Sequence, residues 1–295
     1  MKIAKNILVA FLLNLAFSLF ELMGGFLTGS IAILSDSVHD FGDALSIGIS
    51  YFLEKKSLKK PDEHHTYGYT RYSVIGSVIT TVILLVGSSF VIYEAIQRFI
   101  HPVTIHYDGM ILIALFGVVI NTIASYVTKE GDSLNQKAVN LHMLEDVLGW
   151  VVVLIGSIVM KFIDFPYLDS ILSIGVAIFI FIHAIHNLKE ILDVFLEITP
   201  KDVSVKELKK HILSIPGVLD VHHIHVRSMD GYHHFATLHV VSKKYDEDLK
   251  KKVREELEEH GIGHSTIEIE LEDEKCDYKE CEVLSTNKPH HHHHH

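Results

Sequence analysis

Three stretches of this chain, Tyr72 to Tyr93, Gly109 to Thr128 and Ser170 to Leu188, run for 22, 20 and 19 residues without a formal charge. A fourth, Asn6 to Phe20, continues past Glu21 to about Leu27. Each is long enough to cross roughly 30 Å of hydrocarbon as a helix. Hydrocarbon offers the backbone no outside hydrogen-bond partners, so a helix is the form such a segment takes. Two further segments are as apolar but carry acids: Ser30 to Leu53 holds Asp36, Asp40 and Asp43, and Val139 to Met160 holds Glu145 and Asp146. Reading these as helices too gives six spans joined by short polar connections.

The whole-chain composition, 48% hydrophobic and 21% charged over 295 residues, averages two unlike regions. Residues 1–200 carry 30 charged side chains and residues 201–289 carry 33. We therefore expect a six-span all-α membrane domain over 1–199, a soluble α+β domain over 200–284, and a terminal stretch, 285–295, ending in six consecutive histidines that read as an affinity tag. Within the soluble part, periodicity predicts helix, strand, strand, helix, strand. This αββαβ order is ferredoxin- or metallochaperone-like, with two helices on one face of a three-stranded sheet. A net charge of −11 argues against a nucleic-acid partner and suits the handling of cations. Only Cys276 and Cys281 are present, so no disulfide framework is expected. Six spans place both termini on one side. Lys2, Lys5, Lys55, Lys56, Lys59, Lys60, Arg71, Lys129, Lys137 and Lys189 share that side, against Arg98 and Lys161 opposite, which makes it cytoplasmic. The compact loops suit a prokaryotic inner (cell) membrane.

An acid at the centre of a membrane helix costs about 2.5–3.5 kcal/mol on the mildest scale, so something must compensate it. His39 and Asp43 stand four apart in the second span, and His142 and Asp146 repeat that spacing in the fifth. Residues four apart share a helix face. Two such pairs can supply two nitrogen and two oxygen donors, a tetrahedral set that suits Zn²⁺. The plainer reading of either pair alone is an interhelical hydrogen bond. Asp40 and Glu145 lie about 100° from the ligand face, from the 3.6-residue turn, and fit a supporting role. Asp36 lies nearer the outer interface.

These motifs, with Gly24-Gly25, Ser30 to Ser46, Pro61 to Tyr69 and the αββαβ tail, make residues 5–284 resemble the cation diffusion facilitators, a family of metal-ion/proton antiporters. The resemblance implies a homodimer, a transport site in each membrane domain and cytoplasmic metal-binding domains. His39 occupies the position where histidine goes with preference for Zn²⁺ over Cd²⁺ or Mn²⁺. The resemblance also implies a loop site at Asp62, His64 and His65, where Tyr69 stands in place of a further histidine. In the tail it implies a site built from His222, His239 and Glu270, with Cys276 and Cys281 matching a terminal C-x4-C; His264 is a further candidate ligand there. The expected function is a transporter, not an enzyme, that exports Zn²⁺ from the cytoplasm in exchange for protons. A membrane-bound metal sensor and a metallohydrolase are the alternatives. The hydrolase would need an open coordination position and a general base.

Overall fold

Six long helices come first in chain order: α1 (Lys2–Thr28), α2 (Ile31–Ser57), α3 (Arg71–Ile100), α4 (Tyr107–Lys129), α5 (Leu134–Phe162) and α6 (Leu168–Phe195). A smaller set follows: α7 (Val205–Leu213), β1 (Val218–Ser228), β2 (His234–Ser242), α8 (Glu247–Glu259) and β3 (Ile262–Leu271). The computed structural model describes residues 2–28, 31–101, 107–129, 133–163 and 167–274. The chain divides into two compact units close to Phe195.

In the helical unit, α1 packs along α2, α4 along α5 and α3 along α6, with α5 also touching α3 and α6. Among the described residues, five helices are long and apolar enough to cross a membrane. The remaining one, α2, has the length but carries Asp36, Asp40, Asp43 and Glu54 within its 27 residues. Burial on α3 departs from that of a soluble protein. The packed side of α3 consists largely of small and hydroxylated residues: Ser73, Gly76, Ser77, Thr80, Thr81 and Ser88. Phe52, Val86, Phe90, Tyr126 and Phe162, by contrast, point outward. Small residues let membrane helices approach closely, and large apolar ones facing outward meet lipid. The protein is therefore an integral membrane protein.

Several buried polar groups are paired across helices. The Ser73 hydroxyl donates to Glu54 Oε2 at 2.7 Å, and the Asn135 amide donates to the same oxygen at 3.1 Å and to the Ser50 carbonyl at 3.0 Å. These bonds tie α2, α3 and α5 together. Gly76 makes room for the amide: a Cβ there would lie 2.6 Å from Asn135 Oδ1. Ser133, at the N-terminus of α5, caps it by accepting the Gln136 N–H at 3.0 Å.

In the second unit, β1 and β2 form an antiparallel hairpin and β2 runs parallel to β3 in the order β1-β2-β3. The parallel pair needs a crossover, which α8 supplies. Gly231, at φ 90°, takes the left-handed conformation the hairpin turn requires. Ser204 and Asp246 cap α7 and α8, each accepting a backbone N–H of the first turn. Leu208 and Ile212 of α7, and Val253 and Leu257 of α8, pack with Val221, Leu238, Val240 and Ile267 in one core. Side chains alternate along strands, so His222, His239 and Glu270 lie on the opposite face of the sheet.

Candidate functional site

The acids of α2 and α5 meet within the helical unit. Asp43, His142 and Asp146 each place one donor atom within 4.8 Å of the other two. His142 Nε2 lies 3.6 Å from Asp43 Oδ1, and the imidazole is only 3% exposed. Neither ring nitrogen of His142 has a hydrogen-bond partner among the described residues. Buried polar atoms almost always find one, so an imidazole held this way beside two carboxylates has the chemistry of a metal ligand. His39 lies one turn before Asp43 on α2, but its side chain is outside the described residues, as is that of Asp36.

Other helices supply support that spacing alone does not reveal. Asn14 of α1 donates its amide to Asp146 Oδ2 at 3.1 Å, which orients that carboxylate. Glu145 accepts the Ser88 hydroxyl of α3 at 2.9 Å and lies 3.9 Å from His142 Nδ1. The signal for Asn14 was an amide inside an otherwise apolar run. Ser88 gave none, since serine is common in membrane helices.

The loop after α2 is organised around Asp62. Its Oδ1 accepts the backbone N–H groups of His64 and His65 at 3.0 and 2.8 Å, and its Oδ2 accepts the Tyr69 hydroxyl at 2.5 Å. The Tyr69 hydrogen bond, ahead of the backbone ones, holds the Asp62 carboxyl below its ordinary range and raises the Tyr69 phenol. His65 stacks on Tyr69 with ring centroids 4.0 Å apart and sits 3.6 Å from Asp62, whereas His64 is exposed. Tyr69 thus engages a carboxylate oxygen that a metal ion at Asp62 would need. Tyr69→His is expected to add one Zn²⁺ per chain in equilibrium dialysis; unchanged stoichiometry would mean that the loop is built only for its turn.

On the open face of the sheet, His222, His239 and Glu270 bring donor atoms within 4.8 Å of one another. His222 Nε2 is 3.2 Å and His239 Nδ1 2.5 Å from the Glu270 carboxylate. His239 and His222 are cross-strand partners, and Glu268 is paired with His239 on β3. A bulge between His222 and His225, with His223 at φ 51°, turns the His223 ring onto His239 at 4.9 Å. Burial, followed by the neighbouring imidazoles of His239 and His222, pushes the His223 pKa down. His264 stands apart from this trio. It pairs with Phe235 and packs its ring there at 4.6 Å, four positions along β3 from Glu268. Cys276 and Cys281 lie outside the described residues.

Two family models match this chain in order. Residues 7–196 match the cation efflux transmembrane domain, and residues 200–272 match the cation efflux protein, cytoplasmic domain. A zinc transporter ZitB of Pectobacterium atrosepticum is 33% identical over 291 residues, covering 96% of this chain and 90% of that protein. ZitB of Shigella flexneri is 32% identical over 299 residues, 99% of this chain and 95% of its own. A cadmium, cobalt and zinc/H(+)-K(+) antiporter of Bacillus velezensis is 30% identical over 275 residues, 90% of this chain and 88% of its own. With its bundle of apolar helices, its αββαβ tail and both family domains in order, the chain belongs to the cation efflux family, the cation diffusion facilitators, and is a metal-ion transporter rather than an enzyme.

Proposed function

We propose that this protein exports Zn²⁺ from the cytoplasm in exchange for protons, working as a homodimer in the inner membrane with both termini cytoplasmic. The observation that carries the reading is His142: a buried imidazole whose nitrogens have no hydrogen-bond partner among the described residues, close to Asp43 and Asp146. His39 of α2 completes the set as a fourth ligand. Imidazole and carboxylate together suit Zn²⁺ and related borderline ions, and two carboxylates offset the divalent charge where no water can. The names of the relatives, zinc transporters and an H(+)-coupled antiporter, point the same way.

A ligating imidazole must be neutral, so Zn²⁺ arriving from the cytoplasm displaces any proton held at His39 or His142. Once the site faces outward and Zn²⁺ leaves, protonation of the same imidazoles blocks its return. The tail's His222, His239 and Glu270 hold a regulatory metal in this reading, with Cys276 and Cys281 as thiolate donors nearby in sequence.

Purified protein in sealed liposomes, carrying a zinc-sensitive dye inside and a pH gradient across the membrane, tests the proposal. Uptake that follows the gradient and falls to the protein-free level in Asp43→Ala is the expected result. Flux indifferent to pH, or untouched in Asp43→Ala, would overturn it.

A further inference from the structure

A different group of donors lies on the helical side of the tail, away from the sheet face that carries His222 and His239. His211 is in the last turn of α7, Glu256 in α8, and His260 caps the C-terminus of α8. Each offers one donor atom within 4.8 Å of the other two. Glu256 Oε1 lies 3.1 Å from His211 Nδ1 and 3.4 Å from His260 Nδ1, and the two imidazole centroids are 5.0 Å apart. Ligands at zinc's usual bond lengths sit about 3.3 Å from one another around a tetrahedral ion, so the 3.1 Å between Glu256 Oε1 and His211 Nδ1 is already close to the spacing of two ligands on one metal.

The rings are also oriented. His260 Nδ1 lies 2.9 Å from the Glu256 carbonyl oxygen, one helical turn back. In the tautomer that donates there, Nε2 carries the free lone pair, and a histidine that binds metal through one nitrogen is commonly held in this way through the other. Glu256 and His260 are half-buried, with side chains 22% and 19% exposed, while His211 is 50% exposed. That leaves an approach from solvent and a coordination position for water.

We infer that His211, Glu256 and His260 bind a divalent transition-metal ion of the Zn²⁺ class, clipping α7 to α8. Two imidazoles and one carboxylate select such an ion over Mg²⁺ or Ca²⁺, which take oxygen ligands. Because α7 and α8 pack into the same core, an ion bridging them stabilises the folded tail in proportion to its free concentration. The site does not depend on the transport reading, since it would bind metal even in a protein that moves none.

Co²⁺ binding to the full chain, lacking only the His290–His295 run and kept in detergent, tests the inference. The intact protein, His211→Asn, His260→Asn and the double variant are compared for Co²⁺ per chain and for the visible absorption of four-coordinate Co²⁺. We expect each single variant to bind one Co²⁺ fewer than the intact protein, with no further loss in the double variant. The Co²⁺-induced rise in melting temperature should shrink in step. Equal stoichiometry in all four proteins would show an interhelical hydrogen-bonded contact only, and overturn the site. Should His211→Asn melt early in EDTA, Glu256→Gln, which keeps the side-chain shape, replaces it with the same expected loss.

Discussion

Asp146→Asn is expected to lower zinc flux in liposomes by more than about 100-fold, while Asn14→Ala lowers it by about tenfold. Loss of a group that merely orients a ligand costs about 10–100-fold in metal affinity or activity, and loss of the ligand's charge should exceed that. Asparagine keeps the shape of Asp146 and can still meet the Asn14 amide, which lies 3.1 Å away. What it removes is one of the anions that make a divalent ion tolerable in hydrocarbon. Asn14→Ala leaves the carboxylate in place and removes only the N–H that aims it. Initial rates for both variants, with zinc affinity measured by titration calorimetry, separate the two roles. Equal rates in the two variants would mean that Asp146 is not a ligand.

Asn135→Ala is expected to cost about 2–3 kcal/mol, the range for losing hydrogen bonds to a charged group with partial desolvation of what remains. Asn135 is fully buried and serves both Glu54 and the Ser50 carbonyl, so its loss strips two acceptors at once. Gly76→Ala should act on the same network by about 1–3 kcal/mol, since its Cβ would displace the Asn135 side chain. The two changes share partners and should combine to less than their sum. Glu54→Gln in the Asn135→Ala background should recover part of the loss, because an amide that has lost a hydrogen-bond donor is less costly to bury than a carboxylate that has lost one, with the Ser73 hydroxyl still donating to it. Thermal unfolding in detergent measures all four proteins. A shift within error for Asn135→Ala would mean that water reaches Glu54.

The helices of the membrane unit were legible because hydrocarbon imposes length and the absence of charge on any segment that crosses it. The second span is legible from its length and its remaining apolar residues, although its acids depress its hydropathy. Strand and helix positions in the tail follow the sequence pattern to within a few residues, with Ser204 and Asp246 lying just outside their helices as caps. The parallel pairing of β2 with β3 was not legible, because alternation reports a strand's faces and not its neighbours. At the intramembrane cluster, same-helix spacing identified His142 with Asp146, and the structure brings Asp43 to them. Asn14 and Ser88 belong to other helices and enter only through packing. Glu54 and Asn135 were missed for a related reason. Each lies near a helix end, where a polar residue ordinarily faces water, and only the packing of α2, α3 and α5 shows that these two do not. His211 stands 45 positions from Glu256, a separation at which residue spacing carries no information about contact.

The hydroxyl-lined flank of α3 bears on how such a protein can move. When two helices interlock through bulky side chains, sliding past each other forces those side chains through one another. Along Ser73, Ser77, Thr80, Thr81, Ser88 and Gly76 there is little bulk to force, and the bulk on this flank is concentrated at Val74 and Leu84. Any such shift of α3 would draw Ser88, which lies beside the cluster of Asp43, His142 and Asp146, away from the Glu145 carboxylate it donates to.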